Sequence, residues 1–183
     1  MAALLYSCLC SLDGYVADEG GGFDWAVPDS EVHAALNDVH RSVGRLLLGR
    51  RSYEVLRTWD TAVPATAVEA DNQALWRDAD KVVHATSAVP DLGPRARLSR
   101  RFDPEDVARV KEWADRDLMV GGPTLAAQAF GAGLVDGVHL FVFPVVVGGG
   151  QPALPRGQRL DLTLVAERRF PCGAVHLAYR VRR

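Results

Sequence analysis

Short apolar runs separated by polar punctuation set the pattern of this chain. Residues 3–10 (ALLYSCLC) are nearly all apolar and close on the turn signal Asp13-Gly14, which predicts a buried first strand. Gly20-Gly21-Gly22 marks a loop. Pro28, Asp29 and Ser30 then open a predicted helix reaching about Val43, with Val32, Leu36, Val39 and Val43 as its apolar stripe. Residues 45–48 (RLLL) predict a buried strand; after Gly49-Arg50-Arg51-Ser52 a short helix covers Tyr53 to Arg57. A helix over 67–78 follows, then a strand over 81–86 ended by Ser87 and Pro90. The cap, proline and acid of Asp103-Pro104-Glu105 start a helix to about Ala114. Residues 117–120 (DLMV) predict a strand broken by Gly121-Gly122-Pro123, and 124–131 a helix that glycine ends.

After Val138 the pattern changes. Residues 138–147 predict a long β-branched and aromatic strand, and two more lie near 160–169 and 174–182, joined by Pro171-Cys172-Gly173. In the last, His176, Ala178, Arg180 and Arg182 alternate with Val175, Leu177, Tyr179 and Val181. Strand–helix alternation first and a hairpin last predict a mostly parallel sheet with an antiparallel edge. With no repeat or linker in 183 residues, the expectation is a single domain over 1–183.

Composition narrows the classes of function. Lys and Arg number 21 against 23 Asp and Glu, a net charge of −2, which argues against a strongly basic nucleic-acid binder. Cys8, Cys10 and Cys172 form neither a disulfide framework nor a C-x-x-C pair, so Cys8 and Cys10 read as small buried hydrophobes in a reduced, cytoplasmic setting. The apolar stretch from Val138 to Val147 is short of the ~20 residues a membrane span needs, and the N-terminal run lacks the basic region of a secretory leader. No G-x-S-x-G elbow is present, and no metal site is expected.

Two places repeat one design, a buried strand, a glycine turn and then a helix: Leu46 to Glu54 (LLLGRRSYE) and Leu118 to Phe130 (LMVGGPTLAAQAF). Helix N-termini offer free N–H donors and partial positive charge, and glycine lets a phosphate approach the backbone. Neither turn is G-x-G-x-x-G or a P-loop, and such turns also serve packing alone. Arg50 and Arg51 suit a phosphate monoester, or stand as solvated surface charges. Asp13 fits a turn residue or a proton donor, Asp29 a helix cap or an acid, and Trp25 a ring that stacks on a heterocycle or packs half-buried.

Four blocks in order carry a resemblance. Ser11-Leu12-Asp13-Gly14-Tyr15-Val16-Ala17 is similar to S-x-D-G-x-I-A, and Leu48-Gly49-Arg50-Arg51-Ser52-Tyr53-Glu54 to the G-R-x-[ST]-[YW]-E turn. Val120-Gly121-Gly122-Pro123-Thr124-Leu125 is similar to G-G-x-x-L. Ala132-Gly133-Leu134-Val135-Asp136, then Pro144-Val145-Val146-Val147-Gly148-Gly149-Gly150, is similar to A-G-L-V-D-E followed by P-V-x-L-G-G-G. Together they resemble the dihydrofolate reductase-like superfamily, in particular the branch containing the reductase domain of bacterial riboflavin-biosynthesis deaminase-reductases. The resemblance spans essentially the whole chain.

It implies a three-layer α/β/α fold with a mostly parallel mixed sheet of about eight strands and a C-terminal antiparallel hairpin. It also implies NADPH bound across the two glycine turns, and hydride transfer to a small heterocyclic (pteridine- or pyrimidine-like) or related unsaturated substrate. By motif, Gly49, Arg50, Arg51 and Ser52 hold the pyrophosphate and adenosine side, with Arg50 on the 2′-phosphate assisted by Thr86 or Ser87. Gly121, Gly122, Pro123, Thr124 and Leu125 hold the nicotinamide-side phosphate, and Ala17 with the Asp13 turn borders the nicotinamide. Trp25, Glu31 and Tyr53 are the substrate-binding candidates; Asp13 and Asp24 are the catalytic ones. A homodimer is implied too, with 138–147 and the tail hairpin as its candidate surface. Val120 stands where the riboflavin-pathway branch carries an acid, and Gly137 replaces an acid after Asp136. These departures predict a stand-alone member whose substrate differs from both the riboflavin intermediate and dihydrofolate. The alternative is a nucleotide-binding module of the same fold without turnover.

Overall fold

The apolar N-terminal run becomes the central strand of a computed structural model that describes residues 1–89 and 91–182; Pro90 lies outside the described residues. Strand β1 (Leu4–Ser11) is flanked on one side by β6 (Asp117–Gly121) and on the other by β7 (Gly137–Phe143), both parallel to it. Beyond β6 lie β3 (Val43–Gly49), β4 (Asp80–His84) and β5 (Ala96–Ser99), again parallel. Beyond β7 the hairpin of β9 (Leu162–Arg169) and β10 (Val175–Val181) adds two strands, with β10 antiparallel to β7. The sheet order is therefore β5-β4-β3-β6-β1-β7-β10-β9. A separate two-stranded ribbon joins β2 (Tyr15–Ala17) to β8 (Gln151–Pro152).

Helices cover both faces, as a sheet buried on two sides requires. On one face, α4 (Pro104–Trp113) and α5 (Pro123–Gly131) pack Val107, Leu125, Ala129 and Phe130 onto Leu4, Tyr6, Leu118 and Val120. On the other, α2 (Arg50–Leu56) and α3 (Ala67–Asp78) contribute Tyr53 and Trp76 against Leu46, Leu48, Val83 and Met119. There α1 (Ser30–His40) sets Val32 and Ala35 against Phe141 and Phe143. The period of two along a strand divides β1 between these layers: Leu4 and Tyr6 face α5, and the intervening odd positions face α1 and α3. This is the three-layer α/β/α fold with an eight-stranded, mostly parallel sheet that the resemblance implied.

Several boundaries differ from the sequence reading for local reasons. Helix α1 stops at His40, because Val43 is 2 % exposed and already starts β3, opposite Asp117. The run 138–147 leaves the sheet at Phe143, because Pro144 has no N–H for the ladder. The rest of that run forms the loop that pins the Asp13 turn. Helix α2 begins at Arg50, directly after the glycine turn, and continues as a 3-10 turn over Arg57–Asp60. Strand β7 sits inside the sheet and so is no free surface; the exposed edge is β9, where Leu164 and Val165 are about half exposed.

One ion pair, with its cation buried and its carboxylate partly exposed, ties the layers together. Lys111 of α4 is 3 % exposed and donates to the Leu134 carbonyl at 2.7 Å and to Asp136 Oδ2 at 2.5 Å, while that carboxylate also accepts from the Leu4 amide at 2.8 Å. Asp136 thus anchors the start of the central strand.

Candidate functional site

The parallel strands deliver their carboxyl ends to one side of the sheet, where open α/β folds bind ligands. Two of those ends are the glycine turns. Strand β3 ends at Gly49 and β6 at Gly121, and the turns abut: a Cβ on Gly122 would lie 2.5 Å from Ser52 Oγ and 4.0 Å from the Gly49 amide nitrogen. Gly122 also holds φ +93°, a conformation L side chains rarely adopt. Both chemistry and backbone therefore require glycine there.

The helix ends separate by design. Asp29, Thr66 and Asp103 cap α1, α3 and α4 through side-chain hydrogen bonds, whereas α2 and α5 have no side-chain cap. The two helices that follow the glycine turns thus keep first-turn N–H donors free for a ligand. They open into a cleft of about 490 Å³. Gly49, Arg50, Arg51 and Ser52 line it from the first turn, and Gly121, Gly122, Pro123, Thr124 and Leu125 from the second. Ala17 adds the β2 ribbon as a wall. Gly150 makes that ribbon possible, since a Cβ there would fall 2.1 Å from the Ala17 carbonyl.

Of the residues assigned to a cofactor by motif, only Thr86 and Ser87 fall outside the lining. Ser87 is nonetheless at the mouth: Arg50 Nη1 donates to its Oγ at 2.7 Å, and Arg50 Nε donates to Glu54 Oε1 at 2.7 Å. Arg51 reaches across to the Gly21 carbonyl at 3.3 Å, joining the first turn to the 20–22 loop. Thr86 is exposed, and its carbonyl accepts from Arg100.

A second cavity of about 340 Å³ adjoins the first, and Ser7, Leu56 and Gly121 line both. It lies between the sheet, α1 and α3, walled by Leu36 and His40, by Leu46 and Leu48, and by Trp59 and Trp76. Among the described residues, no Asp, Glu, Lys or Arg lines it. Its two imidazoles are held neutral: burial lowers the pKa of His33, and burial together with the neighbouring His139 and His33 lowers that of His40 to about 4. Ser7 lines both cavities, but its Oγ is itself buried and has no hydrogen-bond partner among the described residues.

The substrate and catalytic candidates are not brought to these cavities. Tyr53 is fully buried in the α2–α3 core, where its hydroxyl accepts from the Gly93 amide at 2.7 Å, so it is a packing residue. Glu31 sits exposed on α1 in an ion pair with Arg168 at 3.3 Å. Trp25 packs against the Phe141–Phe170 cluster, and Asp24 is exposed; neither lines either of these two cavities. Asp13 accepts from the Ser11 hydroxyl at 2.6 Å and from the Gly148 and Val147 amides at 2.8 and 3.2 Å. Those bonds, the Ser11 one foremost, hold its carboxyl below the usual range, which suits a staple and not a proton donor. Asp29 is the α1 cap. Val120 is fully buried beneath α5, on the sheet face away from the second cavity.

Sequence reasoning missed the second cavity. Ser7 is the one aliphatic hydroxyl inside the run ALLYSCLC, placed at an odd position of β1. That parity was the available signal, but it needed the neighbouring strands to acquire meaning. His33 and His40 come from α1 and Trp59 from the 3-10 turn after α2, elements that only the tertiary fold unites.

A family model of the RibD C-terminal domain matches residues 2–176. The chain belongs to the RibD C-terminal domain family. Within reach of it is the uncharacterized protein YyaP of Bacillus subtilis (strain 168), 27 % identical over 177 residues that cover 92 % of this chain and 89 % of that protein. Among solved structures, a protein from Shewanella sp. PV-4 provisionally assigned to riboflavin biosynthesis superposes with a TM-score of 0.78 at 20 % identity, covering 99 % of both chains. Dihydrofolate reductase from Enterococcus faecalis, complexed with NADP(H), superposes with a TM-score of 0.63 at 14 % identity, covering 99 % of this chain and 97 % of that one. The four sequence blocks thus pointed to the right family, and the two glycine turns among them face the cleft.

Proposed function

We propose that the chain is an NADPH-dependent reductase that transfers a hydride to a small heterocyclic or related unsaturated compound. Membership of the RibD C-terminal domain family and the dihydrofolate reductase-like fold support a reductase. The observation that carries the reading is the adjacency of the two cavities: a cleft floored by paired glycine turns borders an uncharged, largely apolar chamber, and Ser7, Leu56 and Gly121 line both. A dinucleotide fits the first by its phosphates and a ring fits the second.

The residues present fit the coenzyme. The Gly122 cradle, which a Cβ would fill, and the uncapped start of α5 suit one phosphate of the diphosphate. Arg51 and Ser52 suit the other, and Arg50, whose hydrogen bond to Ser87 orients it, suits the 2′-phosphate that distinguishes NADPH from NADH. When bound, the nicotinamide supplies the hydride. The protein then contributes orientation and exclusion of water, which the apolar chamber provides. Among the described residues neither cavity is lined by a carboxylate, so on this reading the proton that completes the reduction comes from solvent entering at the cleft mouth.

That missing carboxylate also favours the second reading, a nucleotide-binding module without turnover. Titrating NADPH and NADH by fluorescence, then following NADPH oxidation against pteridines, pyrimidines and quinones, separates the two. Binding with turnover supports the reductase, binding alone supports the module, and no binding overturns both. No helix among the described residues is long and apolar enough to cross a membrane, and a cytoplasmic setting accompanies this reading. The homodimer reading rests on the β9 edge, with Leu164 and Val165 exposed, and sedimentation tests it.

A further inference from the structure

We infer that the buried Tyr53 hydroxyl is a latch that positions Ser87 against Arg50, so that Tyr53 sets the preference for NADPH over NADH without touching the coenzyme. The inference rests on the coenzyme reading for what Arg50 meets, but not for the latch itself.

Strands β4 and β5 lie side by side and parallel, and residues 85–95 join them. That connection holds the two non-glycine residues with positive φ among the described residues, Asp91 at 53° and Arg95 at 57°. L side chains rarely adopt such a backbone, and it persists only where surrounding contacts hold it. The path of the connection is therefore imposed from outside. Arg100 donates to the Thr86 carbonyl at 2.8 Å and Arg50 to the Ser87 hydroxyl at 2.7 Å. Val89 is buried in the same core cluster as Tyr53 and Trp76, and the Gly93 amide donates to the Tyr53 hydroxyl at 2.7 Å.

Two of these holds come from one short helix. Arg50 opens α2 and Tyr53 stands three residues on, a spacing that makes them neighbours on the helix. The Tyr53 ring is fully buried, 6.2 Å from the Trp76 ring between centroids, so its hydroxyl is a fixed point. The other side of Gly93 is closed as well. A Cβ there would fall 2.5 Å from Asp60 Oδ2, and Asp60 Oδ1 is itself held by Trp76 Nε1 at 2.7 Å. Gly93 thus docks in a socket built by Tyr53, Asp60 and Trp76. Ser87, by contrast, is exposed, so its place depends on how the rest of the connection is held. With the latch open, Ser87 drifts from the guanidinium and leaves Arg50 to Glu54, a competing carboxylate. A 2′-phosphate must then reorder the arginine as it binds, which weakens it. NADH carries no phosphate there and is indifferent. Tyr53 is accordingly a positioning residue.

The test reads the Kd of NADPH and of NADH from reduced-nicotinamide fluorescence on the full chain without substrate, so no turnover enters. Tyr53→Phe is expected to weaken NADPH about 4-fold, inside the roughly 2- to 12-fold that one net hydrogen bond spans, and to leave NADH within about 1.5-fold. Gly93→Ala attacks the latch from the other side with Tyr53 intact, and the same loss of preference is expected should Tyr53→Phe fold poorly. In a Ser87→Ala background, Tyr53→Phe is expected to change NADPH by less than about 1.5-fold, because the residue it positions has lost its hydroxyl. Equal losses for both coenzymes, or a 4-fold effect that survives Ser87→Ala, would overturn the latch and leave Tyr53 a packing residue alone. Should the unaltered protein show no preference for NADPH, the coenzyme reading of Arg50 falls. Amide exchange of residues 86–89 in the free protein then decides the latch, with faster exchange in Tyr53→Phe supporting it and unchanged exchange overturning it.

Discussion

Removing the Arg50 guanidinium should separate the two nicotinamide coenzymes. The side chain is 45 % exposed and is held at both ends, by Ser87 Oγ at 2.7 Å and by Glu54 at 2.7 Å. A charge-assisted hydrogen bond to phosphate is worth roughly 1.5–3 kcal/mol when sheltered. Half exposure screens it, and the phosphate must compete with the Glu54 carboxylate for the same guanidinium, so the lower end of that range applies. Arg50→Ala should therefore raise the Kd of NADPH by roughly 10-fold, about 1.4 kcal/mol, and change that of NADH by no more than about twofold. Glu54→Gln should act oppositely and tighten NADPH modestly, because it removes the competing charge. Both constants can be read from the fluorescence of the reduced nicotinamide on titration at fixed ionic strength. Parallel losses for NADPH and NADH in Arg50→Ala would refute the assignment, since only NADPH carries the extra phosphate.

Other perturbations test other parts of the account. Gly122→Val should abolish coenzyme binding while circular dichroism still reports a folded chain, at a stability cost of about 1–3 kcal/mol for the forced backbone; unchanged affinity would contradict the cradle. Asp136→Ala strands the buried Lys111 ammonium and should cost about 3 kcal/mol in urea unfolding, whereas a loss below about 1 kcal/mol would show the pair to be dispensable. His40, lowered to about 4 chiefly by burial, has a folded pKa below its unfolded value near 6.5. The unfolded chain thus binds more protons between those values, and the contribution, at most about 3 kcal/mol, is fully present above pH ~6.5 and lost as pH falls toward 4. A His40→Gln variant should flatten that part of the stability profile, and an unaltered slope would locate the titration elsewhere.

What the sequence revealed divides along a physical line. The two glycine turns were legible because strand, glycine and helix signals are all local, and Gly49 and Gly121 do end strands as read. Helices over 67–78 and from Pro104 were equally plain, since Thr66 and Asp103 cap them in the ordinary way. Strands β2, β5 and β8 escaped notice because three, four and two residues carry no periodicity. Tyr53 shows the limit on the site side. Its place in the motif drew it toward the substrate, but its ring direction is set by the α2 backbone and points into the core beside Trp76. Asp13 shows the same limit, because its partners Val147 and Gly148 lie over a hundred residues away in sequence. The chamber was illegible for a related reason: leucines, tryptophans and histidines on α1, α3 and β3 read as ordinary core until the fold leaves a space between them.

Amide hydrogen exchange with and without NADPH tests the central claim most directly. The account predicts slowed exchange at two places at once, the amides of residues 49–52 and those of Gly121, Gly122, Thr124 and Leu125, with NADH giving weaker protection at the first. Protection confined to one turn, or falling outside both, would contradict a coenzyme held across the pair.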